Sequence, residues 1–211
     1  DVPAPPAATE PQQAGGDGDG AGGGNGDGDG AAAGGGGSEE KETKAPEKTA
    51  ATAVQQMAAE EPGKRHICYR IYVADQGWSD AVCDGETAGE EGSGKPTTAV
   101  NIAVSGTKGT SSAAYVYDPA STNGEGHFPD PWASATDGVD NYVGSTEKDA
   151  PHMLGFTINV DGGAGTVCQN SYVHNDTWIG LACDDPGTGF DFTYVGTHDN
   201  DLWIEAVRLT V

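Results

Sequence analysis

The pattern of apolar and polar residues divides the chain into two parts. Before Pro62 there is no aromatic residue and almost no branched aliphatic one, whereas short alternating runs recur after it. Such runs, rich in Val, Ile, Thr and Tyr and separated by Asp, Gly and Pro, are typical of β-strands joined by tight turns. The pattern predicts a disordered tail over residues 1–62 and an all-β domain over residues 63–211.

The tail is dominated by glycine, alanine and acidic residues, as in DGDGAGGGNGDGDG over residues 17–30. A segment of this kind buries too little apolar surface to offset the entropy of ordering its backbone. Only PEKTAATAVQQMAAEE, residues 46–61, has helix-forming content, and Pro46 suits a first turn. Glu60 and Glu61 oppose a helix there, because acidic groups are unfavourable at the negative end of the helix dipole. Disorder is the main prediction and a short helix is the alternative.

An internal repeat is the most informative feature of the second part. CYRIYVADQGWSDAVCD, beginning at Cys68, aligns without gaps on CQNSYVHNDTWIGLACD, beginning at Cys168. Further on, Gly89 matches Gly189, and each copy closes with an alternating strand, over residues 98–104 and 205–211. The pairs that match inside the motif are Cys68 and Cys168, Tyr72 and Tyr172, Trp78 and Trp178, Cys83 and Cys183, and Asp84 and Asp184.

A third, degenerate copy lies between these two. LGFTINV over residues 154–160 resembles the closing strands, and Tyr115-Val116 corresponds to the Tyr-Val pairs. Trp132, followed by Asp137-Gly138, is assigned to the tryptophan position. The repeats then span residues 63–104, 105–160 and 161–211. Three such units around a pseudo-threefold axis predict a β-prism or a β-trefoil.

The middle copy lacks both cysteines, which favours disulfides within the other two copies, Cys68 with Cys83 and Cys168 with Cys183. Disulfides indicate an oxidising compartment. The start at Asp1, followed by proline and alanine, is also what removal of a signal peptide leaves, although a cloning boundary would look the same. We therefore expect a secreted, extracellular protein.

Charge narrows the choice of partners. The chain carries 33 acidic and 10 basic residues, and both parts are anionic. A polyanion is repelled by nucleic acid and by anionic lipid. No apolar run reaches the ~18 residues needed to cross a bilayer. We expect neither nucleic-acid binding nor membrane insertion.

No motif indicates an enzyme, a metal or a cofactor. The frames that announce a nucleophilic serine or cysteine are missing, and the histidines lack zinc-ligand spacing. Two carboxylates at a suitable separation can hydrolyse glycosides, which a sequence does not exclude. Acidic loops without surrounding aromatic clefts are the commoner explanation, so we expect a non-enzymatic protein.

The candidate binding residues are aromatic or acidic. Tryptophans at a common position of each copy usually fill the core, and their alternative role is stacking on sugars; Trp203 is assigned to the core. The acidic loops are typical of turns, with recognition of hydroxyl groups, and calcium binding with it, as the alternative. The insertion over residues 118–131 carries an exposed aromatic and suits protein contact. The predicted partner-contacting residues are His127, Phe128, Trp132, Asp84, Asp137 and Asp184.

The order Tyr-Val, Gly-Trp in GWSDAVCDGETAG (residues 77–89) and the closing strand IEAVRLTV (residues 204–211) resembles the clostridial hydrophobic-W repeat family, in three copies over residues 65–211. That resemblance implies secretion and adhesion or binding, without an assigned enzyme activity. The middle copy departs from the pattern by its insertion. The layout of tail and domain is also similar to the adaptor subunits of bacterial umbrella toxin particles, which join a lectin-protease-like subunit to a repeat-built toxin ring.

The leading hypothesis is an adaptor between secreted proteins, such as a lectin- or protease-like subunit and a repeat-containing toxin. Its β domain docks one partner and its tail engages another, which raises their effective concentration. The second hypothesis is a lectin-like or cell-wall-binding module. Exposed aromatics gathered in one patch would favour the adaptor, and three equivalent sites would favour the lectin.

Overall fold

The computed structural model describes residues 48–160, 166–188 and 191–211. Within these ranges the chain is an all-β unit with one α-helix and a single 3-10 turn, Pro186–Thr188. The predicted disorder over residues 1–47, and the match of Gly189, lie outside the described residues. The elements are α1 (Ala50–Glu60), β1 (His66–Val73), β2 (Gly77–Trp78), β3 (Val82–Cys83), β4 (Ala88–Gly89), β5 (Thr97–Ser105), β6 (Gly109–Val116), β7 (Ala133–Thr136), β8 (Asn141–Gly144), β9 (Met153–Val160), β10 (Cys168–Val173), β11 (Ala182–Cys183), β12 (Thr193–Gly196) and β13 (Ile204–Thr210).

The strands form three antiparallel sheets, each built on the opening and closing strands of one repeat. Sheet I has the order β2-β1-β5-β8, with β3 also paired to β1; sheet II has the order β12-β9-β6-β7; and sheet III has the order β11-β10-β13-β4. The sheets stay separate rather than closing into a barrel. The all-β prediction with three pseudo-symmetric repeats is confirmed, and the separate sheets correspond to the β-prism alternative.

The repeats are held together by a cyclic exchange of strands. In each repeat one short strand leaves its own sheet and pairs with the closing strand of another: β8 pairs with β5, β12 with β9, and β4 with β13. The three pairings connect the repeats in a cycle, so the sheet of each repeat includes a strand from another repeat. Folding of each repeat therefore depends on the other two.

A β-bulge marks the same place in every sheet. The register between opening and closing strand shifts between Tyr72 and Val73, between Tyr115 and Val116, and between Tyr172 and Val173. A bulge bends its strand and re-aims side chains. The Tyr-Val pairs recognised in the sequence are thus the bulge positions, which explains why they recur.

Alternation along the strands fills one common core. Ile67, Tyr69 and Ile71 of β1 are fully buried, together with inward residues of β5, β9 and β13 such as Ile102, Phe156 and Leu209. Burial, partly offset by hydrogen bonding, raises the pKa of Tyr69 to about 12. Its hydroxyl donates to the carbonyl of Glu86, so this polar atom is satisfied inside the core.

Helix α1 covers the outer face of sheet I. Ala50, Ala53 and Val54 are buried against Cys68 and Ala103. The Thr49 hydroxyl accepts from the amide of Thr52 as an N-cap. The helix lies within residues 1–62, so the predicted boundary between tail and domain at residue 62 is wrong. The short helix, which was the alternative prediction, forms, and the folded unit begins N-terminal to residue 62. Its position depends on tertiary contacts, because an isolated helix of this length is marginal in water.

Two disulfides close the corresponding strands of sheets I and III. Cys68 is bonded to Cys83 and Cys168 to Cys183, with Cα atoms 4.1 and 4.0 Å apart. The structure has the pairing within copies that the sequence favoured. Both bridges join residues that face each other across paired strands.

The middle repeat replaces the disulfide with two serines. Ser111 faces Ser134 across β6 and β7, as Cys68 faces Cys83, and their hydroxyl oxygens are 2.7 Å apart. A Ser111→Cys and Ser134→Cys double variant should therefore form a third disulfide. Closing a loop of this length is worth about 3 kcal/mol in the chain-entropy model, so the melting temperature should rise.

Thermal unfolding of the double variant, with and without reductant, measures this effect, and the single Ser111→Cys variant is the control. An oxidised double variant that melts no higher than its reduced form would contradict the equivalence of the three repeats.

Candidate functional site

The tryptophans do not lie in the core. Trp78 and Trp178 are partly exposed, each packed edge-on against the bulge tyrosine of its repeat, with ring centroids 5.4 Å from Tyr72 and 5.9 Å from Tyr172. The prediction that they fill the core is wrong, because Tyr72 and Tyr172 alternate with buried neighbours and face outwards, and each tryptophan is paired with one of these tyrosines. The alternative, a surface role, is the one that the geometry permits.

Phe128, rather than Trp132, takes the tryptophan position in the middle repeat. Val116 pairs with His127 as Val73 pairs with Gly77, and the Phe128 ring packs edge-on against Tyr115 at 4.8 Å. Trp132 instead contacts Phe192 at 5.8 Å. Assigning Trp132 by residue type was an error, because the insertion changes the spacing and the equivalent residue, Phe128, lies four residues before Trp132.

An arginine lies over each of the other two indoles. The guanidinium carbon of Arg70 is 4.5 Å from the centroid of the Trp78 ring, and that of Arg208 is 3.9 Å from the Trp178 ring. Arg70 is on the opening strand of its repeat and Arg208 on the closing strand of its own. The two repeats therefore form the same stacking of arginine on tryptophan from different strands. Cation–π contact of this kind holds the indole in place. Two fixed aromatic platforms result.

A cleft of about 450 Å³ lies beside Trp78. Its polar lining includes Gln76, Asp80, Glu90 and Ser93, with the backbone of Gly77 and Gly89. An aromatic ring beside carboxylate, amide and hydroxyl groups can stack on an apolar sugar face and bind hydroxyls. The cleft is the first candidate site.

The middle site is occupied by the protein's own side chains. The His198 ring stacks on Tyr194 at 4.8 Å and packs edge-on against Tyr115 at 5.1 Å. Burial raises the pKa of Tyr194, whose hydroxyl donates to the carbonyl of Thr197. Of the three related positions, this one is therefore closed.

The insertion over residues 118–131 is tied to the loop before β13. Asn200 accepts from the amide of Asp118 at 3.0 Å and donates to its carbonyl at 2.9 Å. His127 is exposed and Phe128 is half-buried. The loop is thus anchored at its start, and its role in protein contact stays a prediction.

Two of the three predicted aspartates, Asp84 and Asp137, serve the turns in which they lie. Asp84 accepts from the Ile67 amide at 3.0 Å and is 2.7 Å from His66 Nδ1. Asp137 accepts from the amides of Gly106 and Thr107. Asp184 is only 4% exposed, and burial raises the pKa of its carboxyl. The role as turn residues accounts for Asp84 and Asp137, and partner contact through all three stays a prediction.

An exposed apolar segment on sheet III was not singled out by the sequence. Ile179 is 43% exposed and Leu181 is 71% exposed, directly after the partly exposed Trp178. We call Trp178, Ile179 and Leu181 the apolar strip. It ends at β11, which the disulfide of Cys183 fixes to β10. Contiguous exposed apolar residues on a fixed edge are typical of contact surfaces.

Trp203 also lies outside the core, contrary to the prediction. Its ring stacks on His174 at 3.8 Å and contacts His152 at 5.4 Å. His174 Nδ1 is 2.6 Å from a carboxylate oxygen of Glu205, which is 1% exposed. Glu205 is the unpaired residue of the sheet III bulge. The cluster of Trp203, His174 and Glu205 therefore lies beside β13.

Among residues 48–160, 166–188 and 191–211, no group of three or more His, Cys, Asp and Glu side chains is arranged to hold a metal ion. The described part of the chain also contains no helix that is long and apolar enough to span a bilayer.

Comparison with known proteins gives one match. Residues 72–106 match the family described as clostridial hydrophobic W. The matched segment runs from the sheet I bulge through Trp78 and Gly89 to the end of β5, so it includes the first candidate site. No curated protein and no solved structure matches the chain significantly. The resemblance is supported for the first repeat; its other two copies and the likeness to toxin adaptors stay predictions.

Proposed function

We propose that the chain is a non-enzymatic, extracellular adaptor in which the folded unit docks a protein partner through sheet III. The apolar strip carries this proposal, because Ile179 and Leu181 expose large side chains beside a disulfide-fixed strand. The Cys168–Cys183 bridge keeps the surface pre-organised, so little conformational entropy is lost when it is covered. The two disulfides are consistent with an oxidising compartment.

The second arm of the adaptor is the acidic, glycine-rich segment 1–47, which lies outside the described residues. Its composition suits engagement of a second partner with ordering on binding. Two arms on one chain place the partners at a high mutual concentration. A bacterial toxin-like assembly, built from a lectin- or protease-like subunit and a repeat-containing toxin, is the setting in which we place this function.

Affinity purification from the native culture supernatant tests the adaptor. A tagged full chain should recover two protein partners in defined ratio. Leu181→Asp should lose one of them, because a charge in the apolar strip must be desolvated on docking. Deletion of residues 1–47 should lose the other partner. If both variants retained both partners, the result would contradict the proposed adaptor function.

Carbohydrate binding is the second candidate, and the Trp78 cleft favours it. Trp78 is a fixed platform beside Asp80 and Glu90, inside the segment that matches the family. Under this alternative, Trp78→Ala abolishes binding to a glycan array or to isolated cell walls, and Leu181→Asp leaves it unchanged. The cleft beside Trp78 is open while the middle site is filled by Tyr194 and His198, so these two sites are not equivalent.

A further inference from the structure

We propose that the outer face of sheet III is a seat for an α-helix of the partner, one with a face of small residues flanked by basic ones. The inference rests on the proposed adaptor function and specifies its docking partner. The inference is based on the protein itself, because helix α1 already packs on the equivalent face of sheet I.

The register of the strands defines the equivalence. Cys68 faces Ala103 in sheet I, and Cys168 faces Thr210 in sheet III. Ala81 and Leu181 each lie two residues before the second cysteine of their bridge. The seat of α1 on sheet I, formed by Cys68, Ala81, Cys83 and Ala103, therefore corresponds to Cys168, Leu181, Cys183 and Thr210 on sheet III.

The two seats differ in what covers them. Cys68 and Ala103 are completely buried, because α1 lies over them and contacts Ala81 and Cys83. On sheet III, Leu181, Cys183 and Thr210 are exposed and Cys168 is half-buried. Among the described residues, the same architecture thus has a helix over the face of sheet I and no helix over the equivalent face of sheet III.

Side-chain size sets the chemistry of the helix. Helix α1 presents Ala50, Ala51, Ala53 and Val54 to sheet I, where the facing residues are also small. On sheet III the larger Leu181 stands in place of Ala81, so the helix must offer small side chains opposite it. Asp184 and Asp185 directly follow Cys183, so this end of the seat is acidic and makes basic residues favourable at the rim of such a helix.

A second copy of α1 does not suit this seat. On sheet I the first amides of α1 donate to Asn101 and to Asp140, at 3.0 and 2.8 Å. On sheet III, Arg208 occupies the register position of Asn101, opposite Asn170 as Asn101 is opposite Arg70. A guanidinium has no acceptor for an N–H. The occupant is therefore a capped helix from another protein.

A designed helix tests the seat without knowledge of the partner. The probe is an acetylated, hydrocarbon-stapled peptide of residues 48–61 that carries E60K and E61K, titrated into the isotope-labelled full chain and followed by NMR. The small face of α1 is kept, the acetyl group replaces the Asn101 contact, and the lysines face the acidic rim. Chemical shifts should change at residues 179–183 and 210.

Leu181→Asp should weaken binding at least about tenfold, and Val139→Asp should not. Val139 is the matched control because it is 49% exposed and lies in a different turn. The peptide without the two lysine changes should bind more weakly. Absent binding, shifts confined to sheet I or to the Trp78 cleft, or an unaffected Leu181→Asp variant would each overturn the helix seat.

The outcome is separable from that of the adaptor. If Leu181→Asp loses a protein partner in the purification while the probe fails to bind, the docking surface stands and the helix does not. A concentration-dependent dimer of the full chain that Leu181→Asp abolishes would instead assign the surface to a second copy, and would also overturn the inference.

Discussion

Gly196→Ala should prevent folding or lower the melting temperature by on the order of 10 °C, since each kcal/mol is worth about 2–4 °C in a domain of this size. Gly196 has φ +110°, and a Cβ there would lie 2.1 Å from the carbonyl oxygen of Leu154. The clash is with backbone, so β12 must move away from β9. Strand β12 belongs to the third repeat but pairs with β9 in sheet II. This movement therefore breaks the strand pairing between the third and the middle repeat.

Gly180→Ala is the matched control. Gly180 has a similar φ of +107°, but nothing lies within 4 Å of the added Cβ. Its cost should be limited to backbone strain of roughly 1–2 kcal/mol. Thermal or denaturant unfolding compares the two variants. Equal losses would show that strain alone, and not the strand exchange, determines the effect.

Removing helix α1 should have the second large effect. Deletion of residues 1–47 should leave the melting temperature unchanged, whereas deletion of residues 1–61 should lower it by several degrees. The longer deletion uncovers Cys68 and Ala103 and removes the buried Val54, whose burial alone is worth about 1.5–3 kcal/mol before the entropy of ordering the helix is subtracted.

Point variants in the full chain separate packing from truncation. Val54→Asp places a charge against the sheet and should destabilise the fold, while Thr52→Asp on the exposed face of the helix should not. Differential scanning calorimetry measures both. If the two deletions melt at the same temperature, helix α1 does not belong to the folded unit.

The repeat and the disulfide pairing could be predicted because both are local patterns of spacing. The equivalence of Gly89 could not be read from an ungapped alignment. By sheet register its counterparts are Gly144 and Gly196, each placed where a Cβ would meet a backbone carbonyl of the closing strand with which it pairs. The recurrent Tyr-Val-Gly over residues 142–144 and 194–196 was the available signal.

The exposed positions of the tryptophans and the formation of helix α1 could not be predicted from the local sequence pattern. A bulky aromatic is usually buried, but Trp78 is paired with Tyr72, which faces outwards between the buried Ile71 and Val73, and this pairing is set by the tertiary fold. Helix α1 has two acidic residues at its unfavourable end, yet Asn101 and Asp140, about 50 and 90 residues away, bind its first amides. Contacts of that separation are set by the tertiary fold.

The secreted partners captured by the full chain, by Leu181→Asp and by Val139→Asp show whether sheet III docks a protein. Both substitutions place a charge on an exposed apolar residue, and only Leu181 belongs to the apolar strip. If sheet III docks a protein, Leu181→Asp loses one partner and Val139→Asp retains it at the wild-type ratio. Capture of the same proteins by all three chains, with glycan binding that depends on Trp78, would contradict the adaptor and establish the carbohydrate-binding alternative.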